Sequence, residues 1–168
     1  MTQMLATDPL KNASTGPQQA EAFMGFYASD RAHFFIGHLT REDARRRFTL
    51  DLGHWMLRSF GMFSARDRAS NGFYGLIGYW FPEGRQEYQL GWFMTKPAEV
   101  PGIVFEATIE VRNDPDRRFI WKTLIGYFHS KNIRSRAMAE RQGGPVDQSA
   151  VEPRPSMLAY RLPGPEAI

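Results

Sequence analysis

The sequence NIRSRAMAERQGG, at residues 132–144, is the most informative part of the chain. Asn132 and Ser135 stand one helical turn apart where an amphipathic pattern begins, and Gly143-Gly144 ends that pattern. The stretch therefore predicts a helix over Ile133–Gln142 with a polar site at its N-terminus.

Two apolar runs upstream predict strands that lead to this helix. The first is Glu87–Met94, and the second is Leu124–His129, directly before the helix. A helical pattern from Val104 to Asn113 lies between them. Because a strand-helix-strand unit requires a right-handed crossover, we expect the two strands to be adjacent and parallel.

The rest of the chain adds two helices and an antiparallel meander. The predicted elements are a helix over Ala20–Ala28, a helix capped by Thr40 and reaching Leu57, strands over Phe60–Arg66 and Phe73–Phe81, and a last strand over Met157–Leu162. Turn signals at 70–72 and 82–85 separate the strands of the meander. This order predicts an α+β layered domain.

Glycines within a predicted strand and the composition of the first 19 residues lead to two further expectations. Gly75 and Gly78, inside a predicted strand, indicate bulges or close packing. We expect residues 1–168 to form a single domain in which 1–19 are poorly ordered, apart from a short strand around Leu10–Ala13.

Composition narrows the class of protein. The 168 residues are 42% hydrophobic and contain no cysteine, which excludes disulfides and thiolate chemistry. A net charge of +3, with 18 acidic residues spread among 21 basic ones, is weak evidence for a nucleic-acid partner, because an anionic nucleotide-type ligand would benefit from the same charge. Without a secretory signal or an apolar run long enough to span a membrane, we expect a cytoplasmic enzyme or binding domain that holds no metal.

Seven short runs, taken in order, resemble the branch of the GNAT N-acetyltransferases related to ribosomal-protein N-acetyltransferases. The resemblance covers about Ala20–Pro163. Its runs are GHW at 53–55, GMF at 61–63, WFPEG at 80–84, LGW at 90–92, EA at 106–107, Asn132 with Ser135, and AER at 139–141.

This resemblance implies a mixed, mostly antiparallel sheet flanked by helices. It also implies that the sheet splays between the strand ending at Met94 and the strand Leu124–His129, and that acetyl-CoA lies in the gap as co-substrate. Backbone groups of Phe93, Met94 and Thr95 would hold its pantetheine arm. The turn that contains Val100, Gly102, Ile103 and Val104 would face its pyrophosphate.

The chain departs from the family pattern at two places. In the phosphate turn, Val100 and Pro101 stand where small or basic residues are usual, so we expect weakened acetyl-CoA binding. Gln89 stands where relatives often carry Glu, and a glutamine cannot act as a base.

The resemblance also assigns roles to polar side chains. Asn132 would hold the pantetheine or an ordered water, and Ser135 would bind near the sulfur and protonate the leaving thiolate. Glu87 or His129 would serve as the base through water, with Glu87 ranked first. The alternative for Asn132 and Ser135 is a helix cap and a first-turn polar residue without catalytic function.

The leading hypothesis is acetyl transfer from acetyl-CoA to a primary amine by direct attack. The acceptor would be an amine-bearing small molecule or a peptide, selected by loops at 33–40 and 143–156. The alternatives are a non-catalytic CoA-binding or scaffold domain and a basic nucleic-acid-binding module. Assembly as a homodimer is left open.

Overall fold

The computed structural model describes residues 4–6, 10–95, 102–113 and 121–164, and its strands form one sheet in chain order. The seven strands are β1 (Met4–Ala6), β2 (Leu10–Ser14), β3 (Met62–Asp67), β4 (Phe73–Trp80), β5 (Gln89–Met94), β6 (Thr123–His129) and β7 (Met157–Pro163). The α-helices are α1 (Ala20–Tyr27), α2 (Arg41–Arg58), α3 (Ile103–Arg112) and α4 (Ile133–Arg141), and two 3-10 segments cover Pro17–Gln19 and Asp30–Phe34.

All neighbouring strands are antiparallel except β5 and β6, which run parallel. Those two strands are paired at one register position, Gln89 opposite Ile125, and they separate toward their C-terminal ends. By contrast, β6 and β7 are paired from Thr123 to His129. The adjacent, parallel and diverging strands expected from the sequence are confirmed.

The side chains of β5 alternate between two hydrophobic clusters on opposite faces of the sheet. Phe93 packs in a cluster with residues of α1 and α2, such as Phe23 and Phe48. Its neighbour Trp92 packs in the other cluster, which includes Ala107 of α3 and Met138 of α4. This is the two-residue period of a strand buried on both faces. The sheet therefore separates an α1–α2 face from an α3–α4 face.

The predicted elements are present, with differences at their ends. The strand predicted to begin at Glu87 begins at Gln89, because the last pair of the β4–β5 hairpin joins Gln89 to Trp80. Strand β1 and the two 3-10 segments were not predicted, since elements of three to five residues carry little periodicity. Within the described part of the chain, no helix is long and apolar enough to cross a membrane.

Gly75 lets β4 and β5 approach closely, as the sequence indicated. A Cβ at this position would lie 2.1 Å from the Phe93 carbonyl oxygen, which is backbone and cannot rotate away. On β5, a Cβ at Gly91 would meet no heavy atom within 4 Å. A side chain at Gly75 of β4 would therefore displace the backbone of β5, the strand that borders the opening of the sheet.

We predict that Gly75→Ala lowers the free energy of unfolding by about 1–3 kcal/mol, the usual cost of forcing atoms into a packed site. Urea denaturation measures this change. Gly91→Ala is the matched control, expected to change stability by no more than about 0.5 kcal/mol. Equal effects of the two substitutions would contradict the steric account.

Asp51 is a buried carboxyl on α2 and is 2% exposed. Burial raises its pKa to about 6, and Arg47, whose Nη2 lies 3.8 Å from Oδ1, offsets only part of that effect. Among the described residues, Oδ1 has no hydrogen-bond partner. A carboxyl with a raised pKa in the folded protein costs stability at pH values where the unfolded chain is already ionised.

We predict that Asp51 lowers the free energy of unfolding as the pH rises from about 4 to about 6. Above pH 6 its contribution should stay constant. Asp51→Asn should abolish that dependence and raise the free energy of unfolding at pH 7 by up to about 3 kcal/mol, the equivalent of the shift in pKa. Thermal unfolding at several pH values tests this, with the exposed Glu152→Gln as control. An unchanged pH dependence in Asp51→Asn would refute it.

Candidate active site

A cavity of about 790 Å³ opens where β5 and β6 separate. Its walls come from α1 and the second 3-10 segment, the end of β5, the start of α3 and most of α4. Small-molecule sites in proteins occupy about 300–1,000 Å³. The separation of the two strands thus creates a space of the size that a cofactor and a substrate need.

This cavity reaches both faces of the sheet. Trp92 and Met94 belong to the α3–α4 face and Phe93 to the α1–α2 face, and all three line the cavity. Phe26 of α1 and Met138 of α4 also line it, from opposite faces. A molecule bound on the α3–α4 face can therefore meet a second molecule, bound on the α1–α2 face, through the gap.

The backbone of β5 directs alternate residues toward the gap. The Thr95 amide donates to the Tyr74 carbonyl of β4 at 2.7 Å. Phe93 lies two residues earlier in the same register, so its backbone groups also face β4. The backbone groups of Trp92 and Met94 therefore point away from β4, toward β6. The Thr95 amide, expected to contact the cofactor, is thus bonded to Tyr74, and the register favours Trp92 and Met94 over Phe93 and Thr95 for such contacts.

Arg31 connects the second 3-10 segment to the end of β5 through a hydrogen bond. Its Nε donates to the Met94 carbonyl at 3.2 Å, and its side chain lines the cavity. The contact engages the carbonyl of Met94, and the amide of the same residue points into the gap. The end of the open strand is thus held by a side chain from the α1–α2 face.

Asn132 and Ser135 both lie at the cavity and at the start of α4. The Asn132 Oδ1 accepts the Ser135 amide at 3.2 Å, which makes Asn132 the N-cap of this helix. Both residues also line the cavity, and Ser135 is only 8% exposed. The capping interpretation is therefore confirmed for Asn132, and it coexists with a position at the site.

The N-terminus of α3 closes another side of the cavity. Gly102 is its N-cap, with φ of 96°, and Gly102 and Val104 line the cavity while Ile103 lies between them in the first turn. Amides of a first helical turn lack partners within the helix and attract anions. Val100 and Pro101, at which the sequence departs from the family pattern, lie outside the described residues.

Positive charge comes from α4 and from the turn before it. Lys131, Arg134 and Arg141 line the cavity, and Cζ of Arg141 lies 4.6 Å from the centre of the Phe105 ring in the first turn of α3. None of the described lining residues is acidic. These cations were not among the site residues predicted from the sequence, although the seven-residue spacing of Arg134 and Arg141 indicates one helix face.

Glu87 is not at the cavity. Both terminal nitrogens of Arg161, on β7, contact its carboxylate, and Arg161 also donates to Asp147 at 2.6 Å. Hydrogen bonds from Ser149, and next from Arg161, lower the pKa of Asp147 to about 2. The prediction that Glu87 lies beside the gap is wrong, because β5 begins two residues later and leaves Glu87 next to Arg161.

His129, the other predicted base, lies beside the cavity wall at the end of β6. Its ring centre is 5.6 Å from that of Phe34, a lining residue, and 6.4 Å from that of His33. The Lys131 amide donates to its Nδ1 at 3.1 Å. A neutral imidazole that accepts at Nδ1 carries its proton on Nε2, so the other nitrogen of His129 is a donor.

The remaining histidines show no sign of a metal site. His54 is buried on α2, where Nδ1 lies 2.8 Å from the Phe60 carbonyl and Nε2 accepts the Phe81 amide at 3.0 Å. His54 is therefore a buried, hydrogen-bonded side chain of the core. Over the ranges that the structure describes, no three His, Asp or Glu side chains are grouped as metal ligands would be.

Comparisons with known proteins agree on one family. The model of the acetyltransferase (GNAT) domain matches residues 16–144. An acetyltransferase from Agrobacterium tumefaciens str. C58 is 27% identical, with a TM-score of 0.87 over 95% of this chain and 93% of that chain. A GnaT-family protein from Bordetella pertussis is 19% identical, with a TM-score of 0.79 over 95% and 99% of the two chains.

A third solved structure is the ribosomal L7/L12 alpha-N-protein acetyltransferase RimL in complex with coenzyme A. It is 12% identical, with a TM-score of 0.74 over 96% of this chain and 98% of that chain, so it supports the fold alone. No curated protein sequence matches the chain. The family match covers most of the chain, including the cavity, and the chain therefore belongs to the GNAT acetyltransferase domain family, a membership that supports acetyl transfer as its activity.

Proposed function

We propose that this protein transfers the acetyl group of acetyl-CoA to an amine by direct attack. The observation that carries the proposal is the cavity that crosses the sheet at the β5–β6 gap. An acyl donor on the α3–α4 face and an acceptor on the α1–α2 face would meet there without a covalent enzyme intermediate. The RimL relative with bound coenzyme A supports the choice of donor.

In this proposal, each part of acetyl-CoA lies against the groups of the cavity wall that suit its chemistry. The pantetheine arm lies along the backbone groups of Trp92 and Met94, which add hydrogen bonds as another strand would. The phosphates lie at the first turn of α3, with Gly102 at its cap and Arg141 beside it. Cations from α4 thereby fulfil the role that the turn after β5 has in the family.

The chemical step joins the amine nitrogen to the acetyl carbon and breaks the bond from that carbon to sulfur. The Met94 amide, which faces the gap, polarises the acetyl oxygen as negative charge develops there. Ser135 donates a proton to the departing thiolate and is reprotonated from solvent. The amine must arrive neutral, since an ammonium has no lone pair, and its remaining excess proton leaves to water after attack.

A specific observation favours a second candidate, a CoA-binding domain without turnover. Glu87 is paired with Arg161 away from the cavity, and the nitrogen of His129 that is not bonded to Lys131 is a donor in the neutral ring. Neither residue predicted as a base presents a free lone pair to the gap. Turnover, rather than cofactor affinity, separates the two functions.

We predict that the protein binds acetyl-CoA and releases free thiol when amines are added, and that Ser135→Ala lowers turnover by about 100-fold. A lost general acid has at least that effect, while the acetyl-CoA dissociation constant should stay nearly unchanged. Calorimetry and a thiol-release assay on the same protein samples provide both numbers.

Asn132→Ala is the control for capping. It should lower the free energy of unfolding by about 1 kcal/mol through loss of the N-cap, and Ser135→Ala should not. Full turnover in folded Ser135→Ala would remove its catalytic role. Binding of acetyl-CoA without thiol release for any amine would favour the second candidate.

We also predict that Arg141→Gln weakens acetyl-CoA binding by about three- to tenfold, as expected for the loss of one exposed charge near a phosphate. The affinity for acetyl-pantetheine, which lacks the nucleotide, should not change. Arg45→Gln, an exposed cation on α2 away from the cavity, is the matched control. Equal losses for the two ligands would place Arg141 away from the phosphates.

A further inference from the structure

Helix α4 has one flank that borders the cavity and another that faces β7. The cavity flank carries Arg134, Ala137 and Arg141 at helical spacing. Arg136 and Glu140, four residues apart, lie on the other flank and contact a residue of β7. Because a cavity supplies few packing contacts, the orientation of this nine-residue helix has to be fixed from the flank that faces β7.

Arg136 makes that connection with hydrogen bonds to two different parts of the fold. Its Nε donates to the Tyr160 hydroxyl of β7 at 2.9 Å, and its Nη1 donates to the Ser130 carbonyl, in the turn between β6 and α4, at 2.8 Å. Tyr160 is 0% exposed, and its hydroxyl donates in turn to Glu140 at 3.3 Å. One rigid guanidinium therefore joins α4 both to β7 and to the turn that precedes the helix.

The turn that Arg136 holds is the one that begins the site. The Ser130 amide donates to the Ser156 carbonyl, just before β7, at 2.8 Å, so both backbone groups of Ser130 are bonded. Two residues later, the Asn132 side chain caps α4 by accepting the Ser135 amide. A shift of this turn would therefore move the N-cap and Ser135 together.

We propose that Arg136 is a positioning residue, which holds the first turn of α4 so that Ser135 meets the sulfur of the thioester. Arg136 is not among the described residues that line the cavity, so it acts through the turn and not by touching a substrate. The inference rests on the proposed acetyl transfer and adds the residue that aligns its proton donor. Displacing a reacting group by about 1 Å can cost about 100-fold in rate, so this anchor affects turnover as well as folding.

Arg136→Met keeps most of the apolar stem of the side chain and removes both hydrogen bonds. We expect it to lower kcat by about 10- to 100-fold and to change the acetyl-CoA dissociation constant by less than about twofold. Thiol release and calorimetry, well below the midpoint of thermal unfolding, give both numbers for folded protein. The acceptor is whichever of alaninamide, phenethylamine and spermidine gives the fastest thiol release with the wild type.

Arg46→Met is the matched control. Arg46 also makes hydrogen bonds through its guanidinium, but its partners Glu42 and Asp43 belong to its own helix, α2. This variant should therefore keep the wild-type kcat. An unchanged kcat in folded Arg136→Met would overturn the inference.

Tyr160→Phe tests the anchor without changing α4 or the turn. Phenylalanine keeps the ring in the core and removes the hydroxyl that accepts from Nε of Arg136. The value of kcat should fall by about threefold or more, as expected for one lost hydrogen bond, with the acetyl-CoA dissociation constant unchanged. An unchanged kcat in this variant would show that β7 takes no part and would overturn the inference.

A double variant separates positioning from a general loss of structure. If Arg136 acts through Ser135, then Ser135→Ala already removes the group that Arg136 aligns. The protein with both Ser135→Ala and Arg136→Met should then have the kcat of Ser135→Ala within about threefold. Independent effects multiply, so a loss equal to the product of the two single losses would overturn the positioning role.

Amide hydrogen exchange tests the anchor without turnover. The Ser135 amide, which is bonded to Asn132 Oδ1, should exchange about tenfold faster in Arg136→Met and at the wild-type rate in Arg46→Met. A protein that binds no acetyl-CoA, or acetylates no amine, would contradict the proposed function, and these exchange rates would then decide the anchor by themselves. An unchanged exchange rate in Arg136→Met would overturn the anchor.

Discussion

The parallel pairing of β5 and β6 at a single register position is the constraint on which the site depends. Beyond the pair of Gln89 and Ile125, the strands separate, and their backbone groups no longer satisfy one another. The other side of β5 remains fully paired with β4, which holds the strand in place. The result is an open strand edge inside a sheet, rigid on one side and able to bind an extended ligand on the other.

The opening also connects the two faces of the domain. Because successive side chains of β5 point to opposite faces, Trp92 and Met94 border the α3–α4 side while Phe93 borders the α1–α2 side. The charged groups of α4 surround the first side, and the aromatic rings of α1 and the second 3-10 segment surround the other. The two sides of one cavity therefore differ in chemistry, since cations of α4 line one and aromatic rings line the other.

Local patterns in the sequence predicted most of the fold. The capping signal at Thr40 and the one at Asn132 both correspond to side chains that accept a first-turn amide. The strand-helix-strand order predicted the parallel pair, because the crossover has one permitted hand. Strand β1 and the two 3-10 segments were not predicted, because they are only three to five residues long. The first residue of β5 was also predicted incorrectly, since it is set by pairing with β4 rather than by composition.

Motifs and local patterns were sufficient to predict the family, the order of the elements and the position of Asn132 and Ser135 at a helix N-terminus, because these follow from near neighbours in the chain. Which groups share the cavity is known only from the way in which the helices and strands pack together. Glu87 forms an ion pair with Arg161, which is 74 positions away in the chain, and Arg141 of α4 lies over the ring of Phe105 in α3. Such contacts depend on how distant elements pack, and periodicity within one segment carries no information about them.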